Sequence, residues 1–152
     1  MKITLRFLLP LASAISIVGC ARMSLTELRS EPPARQNQYV VPYGNLGTCI
    51  VSDLQSGPRG RFGVDVGDFS YELINHATEQ RMTITAKDQD FIRFDLTVRA
   101  SAGGGSTVET RWGTPWSGGA QASRPQGIAF GPQVQATIDQ CAVKLQKSPA
   151  GK

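Results

Sequence analysis

Between Phe91 and Ala100, apolar and polar residues alternate without a break. Ile92, Phe94, Leu96, Val98 and Ala100 point one way, and Arg93, Asp95, Thr97 and Arg99 point the other. A period of two is what a strand with one dry and one wet face requires. The same period recurs in Arg61–Gly67, through Phe62, Val64 and Val66, and in Phe69–His76, Arg81–Ala86 and Ser106–Trp112. Gly67-Asp68 reads as a hairpin turn or as a bulge within one longer strand. Lys87–Asp90 is a short polar turn and Ser101–Gly105 a short glycine-rich one, so the strands they join are antiparallel neighbours. The pattern predicts a meander of four or five strands.

Two segments carry a helical period instead. Leu46, Cys49, Ile50 and Leu54 fall on one helical face, Asn45 is placed to cap it, and Gly57-Pro58 stops it. This predicts a helix from Leu46 to about Ser56, with a short strand through Cys49-Ile50-Val51 as the competing assignment. At the other end Pro132 suits a first helical turn, and Val134, Ile138, Cys141 and Leu145 form an apolar stripe. Two helices on the dry face of the sheet make an α+β two-layer sandwich. Its core is drawn from Ile50, Leu54, Phe94, Leu96, Val98 and Ile138. The opposite face is expected to show Arg93, Asp95, Thr97, Arg99, Glu109 and Arg111 to water, with opposite charges paired across strands. Gly113–Gly131 is a long irregular stretch. It begins between Trp112 and Trp116, which form a candidate binding platform for a glycan, a peptide or a partner protein. The competing assignment ends the strand with Trp112 in the core and folds Trp116 over the sheet edge.

Ahead of the domain, Met1–Cys20 reads MKITLRFLLPLASAISIVGC. Lys2 and Arg6 precede an apolar run from Phe7 to Val18, the layout of a secretory signal. That run is too short to serve as a membrane span, which takes about 20 apolar residues. Ile17-Val18-Gly19-Cys20 resembles the lipobox of bacterial lipoproteins. The resemblance implies cleavage before Cys20 and acylation of its thiol and new amino group by fatty chains of the palmitate kind. Ala21, where an Asp tends to retain such proteins in the inner membrane, implies an outer-membrane destination with the domain facing the periplasm. The organisation expected is a signal peptide over 1–19, a lipidated N-terminus and flexible tether over 20–42, one domain over 43–147, and a loose tail over 148–152. The tether is expected to let the domain stand clear of the headgroups.

With Cys20 lipidated, Cys49 and Cys141 are left as one pair in an oxidising compartment. Both lie on apolar faces of expected helices, so a Cys49–Cys141 disulfide would lock those helices side by side. The formal charge of +4 counts Lys2 and Arg6, and removing them leaves +2. Basic residues scattered among acidic ones lack the concentrated stripe that nucleic acid requires, so no nucleic-acid partner is expected.

Catalytic signals are sparse. His76 is the single histidine; it sits at a strand end beside Asn75 and Glu79. Glu72, Glu79, Asp88, Asp90 and Glu109 supply candidate carboxylate pairs. No GxSxG elbow marks a nucleophile, Asp88-Gln89-Asp90 lacks a calcium-loop spacing, and Gly103-Gly104-Gly105 lacks the lysine of a phosphate loop. No metal and no cofactor are expected. The function expected is that of a non-enzymatic envelope lipoprotein, a binding, accessory or assembly module held to the membrane by its lipid. Its partner is expected to be an envelope protein or a glycan. The alternative is a small periplasmic hydrolase using His76 or a carboxylate pair.

Overall fold

The computed structural model describes residues 23–59, 66–113 and 127–147. The expected signal segment with Cys20, most of the expected strand at Arg61–Gly67, Trp116 and the expected tail lie outside them. The described elements, in order, are α1 (Leu25–Ser30), β1 (Arg35–Tyr39), α2 (Tyr43–Gln55), β2 (Ser70–His76), β3 (Arg81–Asp88), β4 (Phe91–Ala100), β5 (Ser106–Trp112) and α3 (Gly127–Lys147). The strands form one antiparallel sheet in the order β1-β5-β4-β3-β2. With α2 and α3 on one face, this is the α+β sandwich that the periodicity predicts.

β4 and β5 keep the bounds read from the sequence. In β4, Phe94, Leu96 and Val98 are wholly buried beneath α2 and α3, and Ile84 and Ala86 of β3 lie beside them. Ile50, Leu54 and Ile138 complete the expected core. α2 lies close over β3 at Gly47, where a Cβ would stand 2.8 Å from Met82 Sδ. A larger residue there would force the helix off the sheet or displace Met82.

α2 begins three residues earlier than expected. Pro42 is its N-cap, no side chain caps it, and Asn45 lies within its first turn. α3 likewise starts at Gly127 and carries Pro132 inside it rather than at its opening. A proline inside a helix forfeits a hydrogen bond and crowds the carbonyl four residues back. Phe130, on the added turn, offsets this by packing edge-on against Phe69 and Trp112 and tilted against Phe94. Gly67-Asp68 is neither hairpin turn nor bulge. Val66–Asp68 forms a 3-10 turn, held where Gly67 N–H donates to the Pro58 carbonyl.

The larger departure is at the N-terminal side. Residues 23–42, expected as part of a flexible tether, contain α1 and β1. β1 pairs with β5 over five residues, from Arg35 opposite Thr110 to Tyr39 opposite Ser106. α1 is short, and a helix of its length is unstable alone. A capping box fixes its start, with Glu27 N–H donating to Ser24 Oγ and Ser24 N–H to the Glu27 carboxylate. Its packing is against β4 and β5, and the face it meets is the one expected to be wet. Leu28 is completely buried there.

α1 therefore covers part of the charged face and changes its character. Asp95 is fully buried, with Arg29 donating to both carboxylate oxygens at 3.0 and 2.8 Å and Thr85 Oγ1 donating at 2.8 Å. Arg111 donates to the Glu31 carbonyl just past α1 and pairs with Glu109. Arg93 and Thr97 are also buried. Only Arg99 keeps about half its side chain in water. The expected cross-strand pairing exists between Arg99 of β4 and Glu109 of β5, at 3.7 Å, whereas the closer Arg111–Glu109 pair lies within β5.

A carboxylate buried this fully is tolerated because it is ionically paired and hydrogen-bonded at once. Arg29→Ala, which strands Asp95, is expected to lower the unfolding free energy by about 3 kcal/mol in urea titration. Combining Arg29→Met with Asp95→Leu should recover most of that loss. A loss near zero for the single variant would show that α1 does not cover the sheet in solution.

Candidate functional site

The pair on the helical face is bridged: Cys49 and Cys141 form a disulfide across α2 and α3, at a sequence separation of 92. One turn beyond Cys49 on α2 stands Asp53, and one turn beyond Cys141 on α3 stands Lys144. Their side chains form an ion pair at 2.5 Å. The bridge and the ion pair thus stack along the seam between the helices. Cys49, Asp53 and Cys141 bring one sulfur or oxygen each within 4.8 Å of one another, a spacing that suits a metal ion. Both sulfurs are consumed by the bridge, however, and a bridged sulfur is neither a thiolate ligand nor a proton donor. The 3.6 Å approach of Cys141 Sγ to Asp53 Oδ2 is therefore packing.

His76 lies at the end of β2, its Nε2 at 3.5 Å from Thr83 Oγ1 across the β2–β3 pair. Its charge also helps to hold the Glu79 carboxyl below its usual range, behind the larger effect of the Arg81 hydrogen bond. A hydroxyl and an imidazole are therefore neighbours, with Glu79 three residues further on in the turn after β2. Two facts limit the chemistry. Thr83 is buried, with 1% of its surface exposed, and Glu79 is engaged by Arg81 at 2.5 Å. A nucleophile must reach its substrate, and its base needs an orienting partner not already held elsewhere.

Four of the candidate carboxylates are engaged by cations: Glu72 by Lys87, Glu79 by Arg81, Asp88 by Arg93, and Glu109 by Arg111. The Lys87 hydrogen bond holds the Glu72 carboxyl low. A carboxyl held low by a cation is a poor general acid near neutral pH.

Trp112 belongs to the core side of the sheet. It is half-buried and meets Phe94 and Phe130 edge-on, at ring-centre distances of 6.0 and 5.7 Å. Tyr71 and Phe69 complete this aromatic group around Phe94. A ring spent on internal packing is a poor half of a binding platform, so the assignment of Trp112 to the core is the one the structure supports. Trp116 and Cys20 lie outside the described residues.

Sequence reasoning missed two features. Asp95, on the face expected to be wet, is the most buried acid described, and its partner Arg29 comes from the presumed tether. The legible signal was the capping box Ser24-Leu25-Thr26-Glu27, which announces a helix start. The second feature is the β2 edge, where Leu73 and Ile74 are each 38% exposed. Fold and site together define a small disulfide-braced α+β domain with a clamped N-terminal helix. No protein-family model, curated protein or solved structure matches the chain.

Reduction of the bridge is expected to cost about 2–5 kcal/mol of stability, read by urea unfolding with and without a dithiol. Zinc added to the unreduced protein should leave the unfolding midpoint unchanged, and a rise would show a site independent of the sulfurs. Tyr71 supplies a further test. Burial pushes its phenol well above the ordinary value. Its stabilising effect is complete below about pH 10, where the unfolded chain's tyrosines titrate, and drains away as pH rises beyond that. Tyr71→Phe should flatten the alkaline decline in stability, and an unaltered slope would contradict the burial.

Proposed function

We propose that the chain is an outer-membrane lipoprotein, acylated at Cys20, whose periplasmic domain works by binding another envelope component rather than by catalysis. The anchor rests on the residues Ile17-Val18-Gly19-Cys20 and the basic, then apolar, segment before them. The observation that carries binding over catalysis is electrostatic. Glu72, Glu79, Asp88 and Glu109, the acids with the best claim to catalysis, are each neutralised by a lysine or arginine. Such pairing supports the fold and leaves none of these four as a poised acid or base.

The clamp on α1 changes how such an anchor would hold the domain. Only Ala21, Arg22 and Met23 separate Cys20 from the Ser24 cap, a reach of at most about 14 Å. The domain would then ride close to the headgroups instead of standing clear of them. A partner would meet it at the membrane surface.

A second reading, the small periplasmic hydrolase, draws on the 3.5 Å approach of His76 to the Thr83 hydroxyl with Glu79 beside it. The burial of Thr83 and the engagement of Glu79 weigh against it.

Labelling cells with palmitate should mark the wild-type chain and leave Cys20→Ala unmarked, with the mature mass beginning at residue 20. A chain that retains Met1 or carries a free thiol at position 20 would remove the anchor. His76→Gln should leave the domain's activity in cells intact. A hydrolytic activity abolished by that change, in a protein still folded, would favour the second reading.

A further inference from the structure

The sheet's two edges are unlike. β1 runs Arg35-Gln36-Asn37-Gln38-Tyr39, short and polar, and its side chains are tied to α3. Arg35 donates to Gln135, while the Tyr39 hydroxyl donates to Asp139 and accepts from Gln135. β2 is longer, at seven residues, and among the described residues it pairs only with β3. It contains no proline and no lysine, two devices that guard an open edge, and Glu72 is its one acidic side chain. Five of its seven residues are exposed, and Tyr71 and His76 are partly buried.

The apolar surface on β2 is distributed in an informative way. Leu73 and Ile74 are consecutive, so they project from opposite faces of the sheet at the same point along the edge. A groove on either face would need only one of them. An added strand covers both, because its own alternate side chains flank the edge above and below.

We propose that the β2 edge is a self-association surface, where the β2 strands of two copies pair antiparallel about a two-fold axis at Ile74. The proposal is independent of the lipid anchor. That axis sets Ile74 on its own counterpart and Glu72 opposite His76 of the second copy. Leu73 then lies opposite Asn75, with its own counterpart on the diagonal. Glu72 is the only acid on the strand and His76 the only basic side chain, so the pairing is complementary twice over. An axis one residue earlier, at Leu73, places the Glu72 carboxylate against Ile74 and desolvates a charge on an apolar side chain. Lys87 already holds Glu72 in its charged form, which sharpens that preference. A two-fold pairing also closes the β2 edge of both copies at once, leaving no β2 strand free to propagate a fibre.

The test uses the full chain, solubilised from membranes in detergent. Sedimentation equilibrium should give a dimer, and Ile74→Lys should weaken the association by about tenfold or more. Its melting temperature should hold, since Ile74 is already partly exposed. Mild oxidation should cross-link Ile74→Cys roughly tenfold faster than Leu73→Cys, and faster still than Val40→Cys at an exposed site away from β2. A wild-type chain that stays monomeric at roughly 100 µM overturns the proposal. Equal cross-linking rates at the three sites also overturn it. So does Ile74→Cys trapping a different envelope protein in place of a second copy.

Discussion

Asp95 sits in the middle of the central strand, without exposure to water, and is held by a guanidinium from a helix of six residues. A carboxylate at this position is tolerable only if something caps it with positive charge and hydrogen bonds. Arg29 does so bidentately, and the rest of the back face follows. Leu28 is carried into contact beside it, Arg111 reaches the carbonyl of Glu31, and β1 is led onto β5. Asp95 thus converts what would be a solvated sheet face into a partly roofed one.

The front face uses different means for a related end. There α2 and α3 bury the apolar residues of β3, β4 and β5, and the disulfide fixes the two helices against each other. The Asp53–Lys144 pair repeats the cross-link one turn along. Around Phe94, the rings of Phe69, Tyr71, Trp112 and Phe130 meet edge-on or tilted, the geometry that aromatic quadrupoles favour. This cluster accounts for α3 starting before Pro132: seating Phe130 among the rings offsets the hydrogen bond and the ring crowding that an interior proline costs.

How much of this was legible in the sequence depends on which force decided each element. Where burial of alternating apolar residues decides, as in β4 and β5, the strand bounds were read off directly. The same holds for the apolar stripe through Ile138 and Cys141. Where long-range contacts decide, local pattern misled. β1 has the composition of a loop and becomes a strand because β5 offers an edge and α3 offers partners for Arg35 and Tyr39. α1 is too short to stand alone, so its place depends on Asp95, 66 residues away from Arg29. The polar side of β4 looked wet because period two separates faces without saying what covers each one. For the site, the bridge was readable from cysteine arithmetic. The ionic neutralisation of the carboxylates was not, because pairings such as Glu72 with Lys87 are set by strand register.

These features describe a braced domain. Several of its charges are paired with one another, its helices are stapled, and its N-terminal segment is clamped instead of trailing. The most direct measurement of that account is native-state hydrogen exchange at the Leu28 amide, which is bonded to the Ser24 carbonyl. If the Arg29–Asp95 clamp holds α1 as part of the cooperative fold, that amide should exchange only through global unfolding, as slowly as the amides of β4. Exchange at the rate of a fraying end would contradict the account.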